Sequence, residues 1–210
     1  MSIDTEELIL KTARKHFVQH GFAATRMQEI ADDAGINKAM LHYYFRTKDK
    51  LYQEIVEQTL NQMVPKFAEA FASEGDFWER LELFLDTYIS TLLEHPHIPI
   101  FILSEITQKR ERFVEAIKKR AAFIPAVKAF VLQMSTEMQE GSIKSMPPMQ
   151  LFLNIISMTV FPFIAKPMYM TVFDFPEESF ASMMEERKQI IMDFTRSALR
   201  VGGKDIDRKN

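Results

Sequence analysis

The chain contains no cysteine and only six glycines among its 210 residues. Without cysteine it forms no disulfide and no thiolate site, and a reducing cytoplasm is a compatible location. The sequence shows no glycine-rich phosphate loop, no alternating strand pattern and no repeat of fixed period. No nucleophile can be paired with a base, and no two carboxylates share a plausible cleft. We therefore expect no enzymatic activity and no cofactor.

Long apolar runs are also scarce. The most apolar stretch, residues 151–165, contains Asn154, Ser157 and Thr159. At about 15 residues it is too short and too polar for a lone membrane span. The acidic start of the chain, MSIDTEELI, does not look like a secretory signal. A segment with two imidazoles, residues 95–97, has no third ligand nearby, so no metal site is expected. We expect a cytoplasmic protein with no membrane partner.

Helical periodicity runs through the whole sequence. It predicts an all-α protein of about nine helices. We expect a three-helix helix-turn-helix DNA-binding domain over residues 1–47, a helical effector-binding and dimerisation domain over 48–203, and a disordered tail over 204–210. Pro125 should kink or split a long helix that ends near Gly141. Pro162 and Pro167 should break the apolar helix, which leaves residues 168–173 as a loop or short turn.

Residues 25–51 predict two short helices joined by a tight turn. Thr25 and Gln28 have the spacing of a capping box. Gly35 can take the left-handed conformation that ends a helix, and Asn37 can cap the next one. Thr47 then caps a third helix, at whose start Lys48 could help to bind a phosphate.

The second helix of this segment has a polar face with no obvious packing role. Lys38, His42 and Arg46 follow one another at four-residue steps, with Tyr43 and the small Ala39 beside them. A helix fits the major groove of B-form DNA, where Lys and His reach phosphates or base edges and alanine permits close approach. A merely solvated polar face is the alternative.

The net charge of −3 gives the chain no general attraction to DNA. Basic residues are nevertheless concentrated around the proposed reading helix. Residues 22–50 contain five of them and four acids, and three of the acids belong to the preceding helix. The local distribution of charge therefore matters more than the total.

A pattern of residues between about Asp4 and Leu51 resembles the helix-turn-helix signature of the TetR family of bacterial transcriptional regulators. It is carried by Thr25, Ile30-Ala31, Ala34-Gly35-Ile36, Lys38, Leu41, Tyr43-Tyr44-Phe45, Lys48 and Leu51. His42 stands where many members have tyrosine, and Tyr44 where many have histidine. The resemblance implies a homodimeric regulator, expected to be a repressor, that binds a palindromic operator and is released from it by a small-molecule effector. The DNA-binding residues we predict are Thr25, Arg26, Asn37, Lys38, Ala39, His42, Tyr43, Tyr44 and Lys48.

Aromatic residues of the middle region come from helices that could converge. They are Phe67, Phe71, Phe84, Tyr88, Phe101, Phe113, Phe123 and Phe130. Such residues can line an apolar ligand cavity between helices, or they can fill a core. The resemblance implies a pocket in this region, and the aromatic content favours an apolar or aromatic ligand.

The last two long helices, predicted near residues 149–165 and 175–200, carry more apolar surface than one intramolecular pair requires. Paired with their twofold copies they would form a four-helix interface. The residues predicted for this interface are Leu151, Ile155, Met158, Phe180, Met184, Ile191 and Phe194. The alternative is a monomer whose last helices close its own core. For function, the alternative is a helical adaptor that binds protein and not DNA.

Overall fold

The computed structural model describes residues 5–201. Within these residues the chain forms ten α-helices and no strand. The helices are α1 Thr5–Ala24, α2 Met27–Asp33, α3 Lys38–Tyr44, α4 Lys48–Ala72, α5 Phe77–Glu94, α6 Ile98–Gln108, α7 Arg110–Lys118, α8 Phe123–Gln139, α9 Pro148–Val172 and α10 Phe180–Leu199. A 3₁₀ turn, Glu177–Ser179, precedes α10. The predicted all-α fold is confirmed. The prediction for the tail, residues 204–210, lies outside the described residues.

Contacts divide the chain into two compact units. The described part of unit 1 is residues 5–63 with 100–116, and that of unit 2 is residues 64–99 with 117–201. Unit 1 holds α1, α2, α3 and the first part of α4, in which Leu51, Ile55 and Leu60 are fully buried. A unit of three short helices has too little core of its own, so further apolar helix surface is needed to cover it. The boundary at residue 47 between the DNA-binding domain and the effector-binding domain stays a prediction.

The core of unit 1 follows the predicted stripes. Ile9, Ala13 and Phe17 on α1 are at most 4% exposed, and Ile30 and Leu41 are fully buried. The backbone of α1 leaves helical geometry at Gly21, where φ is 74°.

The predicted long helix before Gly141 is split, and this accounts for the tenth helix. The break falls between α7 and α8, just before Pro125. Pro125 is the third residue of α8, where a backbone N–H has no partner within the helix. The proline is therefore tolerated in the first turn of a new helix.

The predicted break in α9 at Pro162 and Pro167 is wrong, because the helix continues to Val172. Pro162 has no N–H to donate to the carbonyl of Met158, four residues earlier. Arg187 Nε of α10 donates to that carbonyl instead, at 3.0 Å. A neighbouring helix thus replaces the missing hydrogen bond.

The continuous α9 is longer than the apolar run judged from the sequence. It has 25 residues, and by length and composition alone it is long and apolar enough to cross a membrane. No other helix among the described residues meets that test. About a third of its most apolar window, 33%, is buried in the protein.

Candidate nucleic-acid interface

The turn between α2 and α3 has the geometry that its sequence predicts. Gly35 has φ 67°. Its N–H donates to Asp32 O at 3.1 Å, and Ile36 N–H donates to Ala31 O at 3.0 Å. These two bonds form a Schellman motif, which satisfies the last carbonyls of a helix. The angle between α2 and α3 is therefore fixed by the backbone.

Asn37 caps α3, as predicted. Its Oδ1 accepts a hydrogen bond from Met40 N at 2.7 Å. At the next helix, Thr47 Oγ1 accepts from Lys50 N at 3.2 Å, which confirms the predicted cap of α4. Side-chain caps therefore mark the starts of both α3 and α4.

Thr25 does not form the predicted capping box, and its side chain is not available to DNA. The residue is 1% exposed, and its hydroxyl donates to Gly21 O at 2.8 Å and His16 O at 3.2 Å. The N-cap of α2 is Arg26, whose N–H donates to Glu29 Oε2 at 3.3 Å. Thr25 therefore ties α2 to the end of α1. The more distant of the two partners, His16 O, is nine residues earlier, outside the spacing of a capping box.

Helix α3 is packed through one side only. Leu41 is its single buried residue, while Lys38, Ala39 and His42 are exposed. Tyr43 is 82% exposed, a large solvent-facing area for an aromatic side chain. The exposed face contains the residue types that were predicted to read DNA.

Tyr44 has an intermediate position on this helix. It is 37% exposed, and its ring meets that of Tyr43 edge to face, with centroids 5.5 Å apart. The Tyr44 ring therefore helps to orient the more exposed Tyr43.

His42 belongs to the end of α3 as well as to its exposed face. Its Nδ1 lies 3.1 Å from Arg46 O. Because a carbonyl only accepts, Nδ1 carries the proton in this contact, and Nε2 is directed elsewhere. The imidazole is held in one orientation, and its Nε2 can accept a hydrogen bond from a base edge.

Lys48 does not have the free ammonium group that a phosphate anchor requires. Its Nζ donates to Phe22 O at 2.8 Å, Thr25 O at 2.9 Å and Ala23 O at 3.2 Å. It also lies 4.7 Å from the centroid of the Phe22 ring. An ammonium has three donors, and all three are used here. The prediction for Lys48 is corrected: it joins the start of α4 to the segment between α1 and α2.

Other basic side chains take the exposed positions. Arg46 and Lys50 are exposed beside the end of α3. The Arg26 side chain is 81% exposed, and its Nε is 4.0 Å from Glu29 Oε1. A weak exposed pair leaves the guanidinium available to another anion. Arg46 and Lys50 were counted among the local charges of the sequence, but the predicted binding residues omitted them.

A buried histidine fixes α2 against α1. His16 is 7% exposed, and its Nε2 lies 2.8 Å from Asp33 Oδ2. This contact joins the last residue of α2 to α1. Residues 5–201 contain no group of three or more His, Cys, Asp or Glu side chains placed to hold a metal.

Comparison with known proteins agrees with this geometry. Residues 9–55 match the family model described as bacterial regulatory proteins, tetR family. Residues 9–55 thus resemble the helix-turn-helix domain of TetR-family regulators.

Two curated relatives match about half of the chain. YhgD of Bacillus subtilis, an uncharacterized HTH-type transcriptional regulator, is 32% identical over 124 residues, which are 54% of this chain and 65% of YhgD. KstR2 of Mycobacterium tuberculosis, an HTH-type transcriptional repressor, is 28% identical over 102 residues, 48% of this chain and 50% of KstR2. The matched region thus spans between half and two thirds of these relatives.

Solved structures extend the likeness of fold to most of the chain. The structure of KstR2 has a TM-score of 0.71 at 15% identity and covers 96% of this chain and 97% of its own. AibR in complex with isovaleryl coenzyme A and operator DNA has a TM-score of 0.62 at 21% identity, with 76% of this chain and 86% of AibR covered. At these identities the likeness shows the TetR-type fold.

The aromatic residues predicted to line a pocket fall into different units. Phe101 and Phe113 belong to unit 1, and Phe123, half-buried, begins α8 in unit 2. The remaining five form what we call the core cluster: Phe67, Phe71, Phe84, Tyr88 and Phe130. Its four phenylalanines are at most 2% exposed. Ring centroids of neighbouring members lie as close as 4.6 Å for Phe71 and Phe84. These rings fill a core and do not line a cavity.

The residues predicted for dimerisation are mostly buried within the protomer. Five of them are at most 5% exposed and cannot meet a partner, so the prediction is wrong for Leu151, Ile155, Phe180, Met184 and Ile191. Met158 is half-buried, and Phe194 is 61% exposed. Sequence periodicity detects one apolar stripe on each of α9 and α10. In the structure these stripes pack within the same chain.

A second set of apolar residues on the same helices, which we call the exposed stripe, is open to solvent. On α9 it contains Met149, Leu153 and Phe161, which are 55%, 47% and 58% exposed. On α10 it contains Ile190 and Phe194, which are 55% and 61% exposed. Large apolar side chains exposed on two neighbouring helices make this surface a candidate interaction site.

Proposed function

We propose that this chain is a transcriptional regulator that binds operator DNA through the exposed face of α3. The observation that carries the proposal is the geometry of α3: a capped seven-residue helix that buries Leu41 alone and leaves Lys38, His42 and Tyr43 facing outward. The match of residues 9–55 to the TetR family model supports it, as do the relatives described as HTH-type regulators. The operator DNA bound by AibR is further support.

In this proposal the exposed residues divide into readers and phosphate contacts. Lys38 and His42 are four residues apart and point from the same side of α3, so both can reach base edges in a major groove. Arg26, Arg46 and Lys50 surround that side and would contact the phosphates. Lys48 and Thr25 hold α1, α2 and α4 together and make no direct contact with DNA.

The regulator would act as a homodimer in the cytoplasm. The exposed stripe of Met149, Leu153, Phe161, Ile190 and Phe194 is suited to a second copy of itself, because a twofold interface brings the same patch together from both chains. A dimer places two reading helices about 34 to 36 Å apart, one turn of DNA. The expected operator is therefore palindromic. The regulator represses transcription while it occupies the operator, and a small apolar or aromatic effector releases the regulator from the DNA.

Selection of bound sequences from random duplex DNA tests the main proposal. We expect an enriched twofold motif. Lys38→Ala and Tyr43→Ala should each weaken binding to that motif by about tenfold or more, at about 1–3 kcal/mol per base contact. Lys128→Ala on α8 is the matched control, because it removes one exposed lysine far from α3 in sequence and should leave the affinity unchanged.

Salt dependence separates this function from a protein-binding adaptor. Phosphate contacts release counterions, so the affinity for the selected duplex should fall steeply as salt rises. Arg46→Ala should reduce that slope by about one. A pool without an enriched motif, together with a flat salt response, would favour the adaptor.

The dimer is tested by sedimentation of variants at matched positions. Phe194→Glu on α10 should shift the chain toward monomer, since it places a charge in the stripe. Leu132→Glu on α8 is the control, because Leu132 is 66% exposed and lies outside the stripe. Equal sedimentation of Phe194→Glu and the unmodified dimer would reject this interface.

A further inference from the structure

Unit 1 contains an open cleft of about 400 Å³ next to the reading helices. It is bordered by the end of α1, the first turns of α4 and one side of α6. We call its four aromatic residues the cleft cluster: Phe17, Phe22, Tyr52 and Phe101. All of its lining residues belong to unit 1. The volume falls in the range of small-molecule sites.

The cleft cluster forms a continuous apolar wall. The ring of Tyr52 has its centroid 5.0 Å from those of Phe17 and Phe22 and 5.5 Å from that of Phe101. Phe17, Tyr52 and Phe101 are at most 4% exposed and make the floor. A floor of rigid rings offers a large apolar contact area to a bound molecule.

The cleft stays open because the chain turns away at its edge. The backbone of Gly21 has φ 74°, and no atom lies within 4 Å of the position that a Cβ would take there. On the opposite side, Ile100 and Leu103 of α6 are 41% and 46% exposed. Apolar side chains therefore form the rim as well as the floor.

The polar groups of the cleft are few and uncharged. Ser104, Thr107 and Gln108 lie at one end, and no ionisable side chain other than the Tyr52 phenol lines it. Burial raises the pKa of the Tyr52 phenol, so the phenol stays neutral at physiological pH. The nearest cations, Lys48 and Arg112, already bind backbone carbonyls and Glu105. A charged ligand would therefore find no free counter-charge, whereas one carbonyl or hydroxyl group would find hydrogen-bond partners.

We propose that this cleft binds a small, uncharged, largely apolar molecule with one hydrogen-bonding group, and that its occupancy weakens DNA binding. The second part rests on the proposed function. The site is distinct from the core cluster to which the aromatic content of the sequence pointed.

The cleft is connected to the reading helices through Phe22 and Tyr52. Tyr52 lies one helical turn after Lys48, and the Phe22 ring contacts both the Lys48 ammonium and the Tyr52 ring. Lys48 in turn holds the carbonyls of Phe22 and Thr25, directly before α2. A molecule that displaces Phe22 or Tyr52 must move this joint and, with it, the start of α2.

Binding is tested with prodan, a neutral naphthalene ketone whose fluorescence shifts to the blue in an apolar site. We expect saturable binding to the full-length chain. Leu103→Lys should weaken it by about tenfold or more, because a charge then stands at the mouth of the cleft. Ile106→Lys is the matched control: Ile106 is 47% exposed on the same helix but does not line the cleft. Equal binding by the two variants, or no saturable binding to the parent chain, would overturn the site.

Coupling is tested by titrating prodan into the complex with a selected duplex. We expect the apparent Kd for DNA to rise in the parent chain and in Ile106→Lys, and to rise much less in Leu103→Lys. An unchanged Kd at saturating prodan would overturn the regulatory part of the inference. Failure of the unliganded chain to bind any duplex would instead count against the proposed function, and the two failures are therefore distinguishable.

Discussion

The core cluster of unit 2 and the cleft cluster of unit 1 are built from the same residue types but have opposite properties. In the core cluster, α4, α5 and α8 contribute rings that leave at most 2% of each phenylalanine exposed. In the cleft cluster, similar ring distances line a cavity of about 400 Å³. Aromatic content therefore does not decide between a core and a binding site. The surroundings decide: apolar neighbours close the first cluster, and the turn at Gly21 leaves the second one open.

The largest expected effect comes from truncating a ring of the core cluster. Phe84→Ala should lower the free energy of unfolding by about 3–5 kcal/mol, since it removes buried contacts and leaves a cavity among packed rings. Urea denaturation monitored by circular dichroism measures this. A loss below about 1 kcal/mol would show that the cluster is loosely packed, and the comparison would then fail.

A buried ion pair lies beside the cleft cluster, where Arg112 is over the Tyr52 ring. Among the described residues, no such pair is seen at the core cluster. Glu105 is 1% exposed, and Arg112 donates to it from Nη2 at 2.6 Å and from Nε at 3.1 Å. Arg112→Met should cost about 3 kcal/mol, because an unpaired carboxylate is left inside. The double variant Glu105→Leu with Arg112→Met should recover most of that loss. If the double variant were no more stable than the single one, packing and not charge would explain the effect.

A smaller effect is expected where α10 supports α9. Phe152 of α9 lies against the core cluster, with its ring centroid 6.0 Å from that of Phe71. Arg187→Met removes the donor to the Met158 carbonyl that Pro162 leaves open, at a cost of about 1–3 kcal/mol. Restoring the backbone donor with Pro162→Ala in the same chain should reduce that cost. Thermal unfolding of the parent, the two single variants and the double variant gives the coupling free energy between the two positions.

Local signals predicted the elements well. Gly35 and Asn37 define the turn before α3, and Thr47 caps α4. In each case the deciding hydrogen bonds join residues no more than five apart, so the sequence itself contains both partners.

Partners distant in sequence explain what could not be predicted. Lys48 has the position of a phosphate contact, but its ammonium is bound by carbonyls more than twenty residues earlier. Thr25 is buried for a similar reason. The helical stripe containing Ile155 and Met184 indicates burial correctly, but periodicity does not say whether the neighbour is the same chain or a second copy.

The smallest effect is expected at the rim of the cleft. Leu103→Ala should cost less than about 1 kcal/mol, because a half-exposed leucine loses little buried area. Leu81→Ala, at a fully buried position on α5, is the matched control and should cost about 2–5 kcal/mol. Urea midpoints of both variants give the difference. A cost for Leu103→Ala close to that of Leu81→Ala would mean that the cleft is closed over Leu103 in solution. The two aromatic clusters would then differ much less than their geometry indicates.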